Sequence, residues 1–506
     1  MKIFNAEQIK KCDSVTCENQ NIQIRELINR AGNSFVEMLT ATDADLSGKI
    51  FVICGYGNNG ADGIAIAKLL YARYCDIELL LIPAESKKLN SEYMQFYLDN
   101  PVDSQPFPVH IIKKINQLND LEKPDLIIDA ILGTGTTRAV EGIIDEVISW
   151  MNTENAKVVS VDIPSGICAD KILDGNAVEA ELTITFQFPK FTFFLPEYAK
   201  NTGRWMVADI GCDQDFLHNE PAEYHWIDKQ LVLQHLKVRD RFAHKGNFGH
   251  AYIISGSYGK LGATIMCSKA VLRTGSGLAT IHAPACAYEI LQMAIPEAMV
   301  DVDRHKYFIS EVNIPARCTA VAIGPGIGTQ HHTQRMLDEL FHKNITIPVV
   351  LDADALNLMS MYPEIIRNLP KESILTPHVK EFERLFGPTA TYSDQIKLQK
   401  QKSAELNAYI ILKGGYTTLS CPDGEVYFNT NGNPGMATGG SGDVLTGIIT
   451  GLAAQGYSRK EACIIGIFLH GMSGDLAVQG GQSYESLLAS DLIDNIGHTF
   501  RKIRQS

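Results

Sequence analysis

The feature that most constrains the fold is an apolar strand that runs into a glycine-rich loop and then a helix, and it recurs in both halves of the sequence. In the first half, KIFVICGYG (49–57) precedes the helical ADGIAIAKLLYAR (61–73), while PDLIIDAILGTG (124–135) and KVVSVDIPSG (157–166) repeat the strand and loop. In the second half, HAYIISGSYGKLGATIMCSKA (250–270) follows the same plan. Strands that alternate with helices of this length predict βαβ units and a mainly parallel sheet.

One irregular segment divides the chain. The strand and helix pattern breaks after Gly211, in the polar DQDFLHNEPAEYHWIDKQ (213–230), and 506 residues are enough for two large α/β domains. We therefore predict an α/β fold class with one domain over 1–216 and a second over 217–506.

Charge, hydropathy and cysteine usage exclude several classes of protein. A formal net charge of −13 disfavours nucleic acid and anionic membranes as partners. The N-terminal segment has no apolar stretch typical of a secretory signal, and no apolar run approaches the ~18 residues that span a bilayer. The 11 cysteines form no CxxC pair, which disfavours a disulfide framework or a zinc site. We expect a cytoplasmic protein with neither nucleic acid nor membrane as a partner.

Three polar loops of the first half follow strand ends, namely GYGNNGADG (55–63), DAILGTGTTRA (129–139) and DIPSG (162–166). Ligands of open parallel sheets bind outside the carboxyl ends of the strands, so these loops predict one composite site. Asp129 and Asp162 are either turn residues or, with amide and hydroxyl groups such as Ser165, a cation site plus an acid/base. No histidine or cysteine joins them, which disfavours a soft transition metal.

The strongest local pattern of the second half is NGNPGMATGGSGDVLTGIITGLAAQG (431–456), in which a glycine-rich loop leads into an apolar helix predicted to start near Asp443. Backbone N–H groups at 439–442 would converge at the helix N-terminus and form an anion hole for a phosphoryl group. Asp443 is then either a general base for a substrate hydroxyl or an N-terminal helix residue favoured by the helix dipole.

Three further motifs of the second half each allow two interpretations. LKGGYT (412–417) offers a lysine to a nucleotide phosphate or forms a tight turn with a surface lysine. His378 in TPHVKEF (376–382) is a binding residue or a helix cap. The two aspartates of LDADALN (351–357) hold Mg²⁺ through water or cap the following helix.

The motifs GxGNNGxDG, DAxxGTG and DIPSG, in this order, resemble the NAD(P)HX epimerase domain, which acts on reduced nicotinamide dinucleotide hydrated across a ring double bond. The resemblance covers nearly all of 1–215 and implies a Rossmann-like α/β/α sandwich. It implies Asp162 as the acid/base, and a potassium ion held by Asn59, Asp129 and Ser165. The dinucleotide contacts it implies are Asn58, Asn59, Gly60, Ala61, Asp62, Gly133, Thr134, Gly135, Thr136, Thr137, Arg138, Ala139 and Asp162.

Ala61 departs from that family's usual pattern, which has a glycine at this position. An alanine would be strained there if the backbone needed a positive φ. The departure affects the expected conformation of the loop rather than the resemblance.

The motifs HKGNFGH (244–250), GPGIG (324–328), LTPHxxE (375–381), LKG and NPGMATGGSGD resemble the ADP- or ATP-dependent NAD(P)HX dehydratases, which have a ribokinase-like fold. The resemblance runs over essentially all of 235–506. It implies that Ala263, Gly326, His378 and Asp443 lie near the hydrated dinucleotide, with Asp443 catalytic. The nucleotide contacts it implies are Lys413, Gly414, Gly415, Tyr416, Thr417 and Gly442.

The order of the two domains is similar to that of the bifunctional NAD(P)H-hydrate repair enzymes. This implies an isomerase that interconverts the R and S forms of NADHX and NADPHX, and a lyase that dehydrates the S form with ADP, giving AMP and phosphate. It also implies magnesium in the second domain and a homo-oligomer, a tetramer or larger. The alternative is a small-molecule kinase of ribokinase type whose first domain binds nucleotide without catalysis.

Overall fold

The chain folds into two compact units. The computed structural model describes residues 1–83 and 106–505. One unit comprises Lys2–Ala222, and the other comprises Glu223–Ser506 together with Met1. The boundary predicted at 216/217 falls within the helix Gln214–Asn219 of the first unit. Both units have the predicted α/β architecture.

The first unit is built on a parallel sheet. Within the described residues its strands, from edge to edge, are Val109–Ile111, Asp76–Leu81, Lys49–Cys54, Leu126–Ala130, Lys157–Val161, Leu182–Phe186 and Arg204–Ala208. Its helices are Ala6–Asn19, Ile24–Thr40, Asn58–Tyr71, Asn116–Asn119, Ile143–Thr153, Ala199–Thr202 and Gln214–Asn219, with 3-10 turns at Phe191–Phe194 and Pro196–Tyr198.

Helices cover both faces of this sheet. Side chains of successive residues in a strand point to opposite faces. In the strand Lys49–Cys54, Val52 accordingly belongs to the core that includes the helix Asn58–Tyr71, whereas Phe51 belongs to the core that includes the helix Ile143–Thr153. The unit is therefore a three-layer α/β/α sandwich, as predicted.

The second unit has a larger, mostly parallel sheet. Its strands follow one another in the order Tyr224–Trp226, Val426–Asn429, Thr417–Ser420, Tyr409–Leu412, Ile374–Leu375, Val349–Leu351, Ala320–Ile323, His250–Ile254, Leu278–Ala283 and Met299–Val302. Thr417–Ser420 is antiparallel to both of its neighbours. The helices are Lys229–His235, Leu261–Thr274, Tyr288–Ala294, His331–Phe341, Asp354–Met361, Glu364–Arg367, Val379–Phe386, Tyr392–Leu406, Ser441–Ala454, Arg459–Gln479 and Ala489–Arg504; Lys245–Phe248, Ala285–Ala287 and Pro434–Met436 are 3-10 turns.

The helix Arg459–Gln479 differs from the sequence expectation, because by length and composition it is apolar enough to cross a membrane. However, 67% of its most apolar window is buried inside the structure. It packs against the helices Ser441–Ala454 and Ala489–Arg504 and belongs to the core of the second unit. All 11 cysteines of the chain are free.

Glycines let the helix Ser441–Ala454 approach the helix Leu261–Thr274 closely. A Cβ atom on Gly447 would overlap the carbonyl oxygen of Cys267, and one on Gly451 would lie 2.8 Å from the carbonyl oxygen of Val271. This contact matters for function because the first of these helices begins at the predicted anion hole.

Gly447→Ala should therefore destabilise the second unit by about 1–3 kcal/mol, the usual cost of overpacking a core. The matched control is Gly497→Ala in the helix Ala489–Arg504, where a new Cβ meets nothing within 4 Å. This control should stabilise the unit by about 0.5–1 kcal/mol, because alanine is the better helix former. Calorimetric unfolding measures both, and equal stability of the two variants would contradict the close approach.

Candidate active sites

The first site lies at one edge of the first sheet. The strands Lys49–Cys54, Leu126–Ala130 and Lys157–Val161 are parallel neighbours, so the three predicted loops leave the sheet at the same edge. The structure thus brings together the residues that the sequence assigned to one composite site.

Asp129 anchors this edge. It is fully buried, and its carboxylate accepts hydrogen bonds from the Ser160 hydroxyl (2.8 Å) and from the Ser165 amide and hydroxyl (2.8 and 2.6 Å). Burial raises the pKa of Asp129, and these donors oppose the shift. The carboxylate therefore ties the strand Leu126–Ala130 to the loop after the next strand.

The three residues predicted to hold potassium are linked by hydrogen bonds around Leu132. The Asn59 side-chain amide donates to the Leu132 carbonyl (2.8 Å), and the Leu132 N–H donates to the Ser165 hydroxyl (2.8 Å). That hydroxyl in turn donates to Asp129. The carbonyl, hydroxyl and carboxylate oxygens gathered here are of the kind that a hard cation prefers, and the Asn59 side-chain amide adjoins them.

Asp162 lies in a strained turn. Its φ is +65°, a conformation that costs a non-glycine residue about 1–3 kcal/mol and is concentrated at functional sites. Its Oδ1 atom accepts hydrogen bonds from Lys190 Nζ (2.6 Å) and from the Phe186 N–H (2.9 Å). The sequence analysis missed Lys190, although a lysine inside the apolar run FQFPKFTFF (186–194) is a signal in itself.

The loop strain expected at Ala61 is absent. Ala61 lies inside the helix Asn58–Tyr71 and is not among the residues with positive φ. Gly60, the residue before Ala61, tolerates no side chain, because a Cβ there would overlap the Gly55 carbonyl. Asp62, the residue after Ala61, has a pKa well above its usual value, because burial desolvates its carboxyl group and, secondly, because the charge of Asp162 is near.

The loop over 133–139 stands open beside this cluster. Thr136 closes a turn onto the Gly133 carbonyl through its N–H (3.1 Å), and a Cβ on Gly133 would lie 3.1 Å from that of Asn59. Gly135, Thr137 and Arg138 are exposed. The loop is thus available to a ligand that also contacts the helix Asn58–Tyr71.

The second site is built on the same principle. The strands Ala320–Ile323, Val349–Leu351, Ile374–Leu375 and Tyr409–Leu412 are parallel neighbours. The residues that follow them therefore meet at one edge, and they include the predicted residues Gly326, His378 and Lys413. Lys413 and His378 are directly paired through the backbone.

Lys413 is partly buried rather than fully exposed at the surface. Its Nζ lies 2.9 Å from Oδ1 of the buried Asp352, whose Oδ2 accepts from the Thr446 hydroxyl (2.7 Å). A Cβ on Gly442 would lie 3.1 Å from the same Nζ. The lysine charge therefore stands at the N-terminus of the helix Ser441–Ala454.

That N-terminus has the features that binding of an anion requires. The helix begins at Ser441, two residues before the predicted start, after Gly440 with a φ of +93°. Within the described residues the N–H groups of Gly442 and Asp443 have no protein acceptor. The helix dipole adds roughly half a positive charge there.

His470 fixes this first helical turn, and the sequence analysis missed it. Its Nε2–H donates to the Ser441 carbonyl (2.9 Å). Burial lowers the pKa of His470 to about 4, so the ring is neutral and a hydrogen-bond donor rather than a charge. The bond orients the peptide that precedes the anion site.

Asp443 has the properties of a base that works near neutral pH. Burial raises its pKa to about 7; the neighbouring Asp352 adds to the shift and Lys413 opposes it. Within the described residues its side chain makes no hydrogen bond. A carboxyl group that is half ionised near neutrality and has no partner can accept a proton from a ligand.

The remaining predicted residues surround this centre. His378 caps the helix Val379–Phe386, since its Nδ1 accepts from the Lys380 N–H (3.1 Å), and burial lowers the pKa of its ring. Asp354 accepts from the Gly328 N–H (2.8 Å) and pairs with Lys260 (3.1 Å).

Two residues predicted to contact the dinucleotide adjoin each other, since a Cβ on Gly326 would lie 3.4 Å from that of Ala263. Gly414, Gly415 and Tyr416 form the turn after Lys413, nothing lies within 4 Å of a Cβ on Gly415, and Thr417 begins the next strand. The described residues contain no group of three His, Cys, Asp or Glu side chains that could hold a metal ion.

Comparison with known families matches each unit separately. A family model described as NAD(P)H-hydrate dehydratase matches residues 251–497. A model described as YjeF-related protein N-terminus matches residues 24–192. Among solved structures, the ADP/ATP-dependent NAD(P)H-hydrate dehydratase of Bacillus subtilis, co-crystallised with ATP/Mg²⁺, is 29% identical, with a TM-score of 0.49, over 55% of this chain and 98% of that one.

Relatives that span the whole chain share one description. The bifunctional NAD(P)H-hydrate repair enzyme Nnr of Moorella thermoacetica is 31% identical over 100% of this chain and 98% of its own length. The enzyme of the same name from Escherichia coli is 30% identical over 98% of this chain and 93% of its own length. Because the similarity extends through both units, the chain belongs to the family of bifunctional NAD(P)H-hydrate repair enzymes.

Proposed function

We propose that this protein repairs hydrated NADH and NADPH, with the first unit interconverting the R and S forms and the second unit dehydrating the S form at the expense of ADP. The observation that carries the proposal is Asp443, an unpartnered carboxyl group with a pKa of about 7 beside an anion site and a lysine. Phosphoryl transfer to a hydroxyl needs these three elements.

Dehydration requires a better leaving group than hydroxide. In the proposed reaction Asp443 accepts the proton of the ring hydroxyl, whose oxygen attacks the terminal phosphorus of ADP, and AMP leaves. The N–H groups at Gly442 and Lys413 stabilise the charge on the transferred group. Loss of phosphate, together with a proton from the adjacent ring carbon, then restores the double bond of NADH or NADPH.

Epimerisation uses the first site. Asp162 is the acid/base that exchanges a proton with the hydrated ring. The dinucleotide lies along the open loop over 133–139 and the start of the helix Asn58–Tyr71, where N–H groups favour phosphate. The dehydratase consumes only one epimer, and the epimerase converts the other epimer into it. The two activities together therefore remove both.

Potassium fits the oxygen cluster around Leu132. Asn59, Asp129 and Ser165 would hold the ion, which would neutralise the buried carboxylate and fix the loops that face the substrate. Epimerisation should therefore be faster in potassium chloride than in lithium chloride of equal ionic strength, because the smaller Li⁺ cannot reach all of these oxygens. Equal rates in both salts would contradict the assignment.

Magnesium and the assembly state extend the proposal. Magnesium would reach the second site with the nucleotide phosphates, since it prefers oxygen ligands and keeps several waters, and Asp443 stands beside the anion site.

We also propose that the protein is cytoplasmic and forms a homo-oligomer of four or more chains. Light scattering of the purified protein measures that assembly directly.

The central experiment supplies an epimeric mixture of hydrated NADPH together with ADP or ATP. Wild-type protein should restore the absorbance of reduced nicotinamide for both epimers, preferentially with ADP. Asp162→Asn should consume about half of the mixture quickly and leave the rest, because the amide cannot exchange the proton. The buffer should be mildly alkaline so that spontaneous epimerisation stays slow.

Two results would contradict this assignment, and a third would show that the variant has misfolded. A stable phosphate ester in place of inorganic phosphate would identify a small-molecule kinase. Rapid consumption of both epimers by Asp162→Asn would show that this residue is only a turn residue. Loss of both activities in that variant would indicate misfolding, which circular dichroism detects.

Asp443→Asn should lower the dehydration rate by about 10²–10⁴, the usual effect of a lost general base, while nucleotide binding persists. In the wild type the rate should rise with pH through about 7, because the carboxyl group accepts a proton only once it is ionised. The variant should lose that pH dependence. Full turnover of the variant would mean that Asp443 only begins the helix.

A further inference from the structure

We propose that Lys190 is the positioning residue of the first site, which pairs the Asp162 carboxylate with a buried cation through one oxygen and leaves the other oxygen free for the substrate. The inference rests on the epimerase function proposed above. It adds a residue that lies outside the glycine-rich loop motifs, 28 positions after Asp162 in the chain.

The surroundings of Lys190 fit only a charged side chain. The residue is fully buried, and its Nζ donates to Asp162 Oδ1 (2.6 Å), to the Thr185 hydroxyl (2.9 Å) and to the Phe188 carbonyl (3.0 Å). The Phe186 carbonyl lies 3.3 Å away. An ammonium group has three N–H donors and no acceptor, and every partner here is an acceptor. The site thus accounts for each proton of a protonated lysine.

The hydrogen bonds that the Asp162 carboxylate accepts all reach one of its two oxygens. Oδ1 accepts from Lys190, from the Phe186 N–H (2.9 Å) and from the Thr185 hydroxyl (3.2 Å). Within the described residues Oδ2 accepts no hydrogen bond. The backbone strain at φ +65° is offset in part by the bond from the Asp162 N–H to the Ile184 carbonyl (2.9 Å). One oxygen is therefore fixed and the other is available.

Lys190 is also the cation within a group of three carboxyls. Asp13, on the helix Ala6–Asn19, and Asp62 are the other titratable side chains that interact with Asp162. Burial, and then the charge of Asp162, raises the pKa of Asp13 to about 7 and that of Asp62 well above its usual value. Carboxyls that share a site cannot all ionise, and the one paired with a cation keeps its charge. Lys190 is thus the cation that faces this group of carboxyls, and it is hydrogen-bonded to Asp162.

A purely structural ion pair predicts something different. If Lys190 only joined the strand Leu182–Phe186 to the turn at Asp162, its loss would lower stability and reduce epimerisation equally at every pH. If it keeps Asp162 ionised, its loss moves the pH at which epimerisation switches on. The pH profile therefore separates the two roles.

The experiment measures kcat and KM for epimerisation against pH, by chromatographic separation of the epimers in the absence of ADP, so that dehydration consumes nothing. In Lys190→Met the acid limb of the kcat/KM profile should move about 1–3 pH units higher, the effect of one neighbouring opposite charge. The loss should fall on kcat more than on KM. Activity should return at high pH, in contrast to Asp162→Asn, which should stay inactive throughout.

The matched control is Lys200→Met, which removes an exposed lysine paired with Glu179 (2.6 Å) in the same unit and should leave the profile unchanged. Lys190→Arg covers the case in which the methionine variant fails to fold. It keeps the charge and should retain the wild-type acid limb even if its kcat falls. A shifted limb in the arginine variant would overturn the proposal.

Failure of the proposed epimerase function and failure of the inference about Lys190 give different results. A wild-type protein that interconverts no epimers would overturn the proposed epimerase function, and this inference with it. A wild-type protein that epimerises, together with a Lys190→Met variant whose acid limb has not moved, would overturn this inference alone.

Discussion

Charge that is buried at the carboxyl ends of parallel strands governs both sites. Strands that lie side by side and run in the same direction deliver the loops that follow them to one edge. At that edge each unit pairs one lysine with one carboxylate, Lys190 with Asp162 and Lys413 with Asp352. A buried charge is costly unless it is paired. The charges of these two ion pairs therefore influence whether the neighbouring carboxyl groups are ionised.

The same arrangement leaves a different group reactive in each unit. In the second unit Asp352 is occupied by Lys413 and Thr446, so the unpaired Asp443, with its pKa of about 7, is the group able to accept a proton. In the first unit the paired Asp162 keeps one oxygen free, while the pKa values of its carboxyl neighbours Asp13 and Asp62 are raised, mainly by burial. The proposed chemistry explains the contrast. Dehydration needs a proton acceptor for a hydroxyl, whereas epimerisation returns each proton that it takes and so needs a donor and an acceptor together.

The sequence was sufficient for the fold class and for the loops that the structure gathers at one edge of each sheet, because apolar strands and glycine turns are local signals. Asp162 and Asp443 adjoin such motifs, which is why the sequence analysis could propose them. Lys190 and Asp13 adjoin none, and they reach Asp162 only through the packing of a distant strand and helix. His470 lies inside an apolar helix, and its bond to the Ser441 carbonyl depends on how two helices pack. Contacts of this kind have no local signature, so only the structure reveals them.

Each site takes all of these side chains from a single unit. The residues named for the first site lie within Lys2–Ala222, and those named for the second lie within Glu223–Ser506. The reason that the proposed function offers for joining the two units lies in the substrate. The proposed dehydratase drains one epimer, so the other accumulates unless an epimerase is present in proportion. One chain that carries both units fixes that proportion at one to one, and this keeps the removal of hydrated cofactor independent of which epimer forms first.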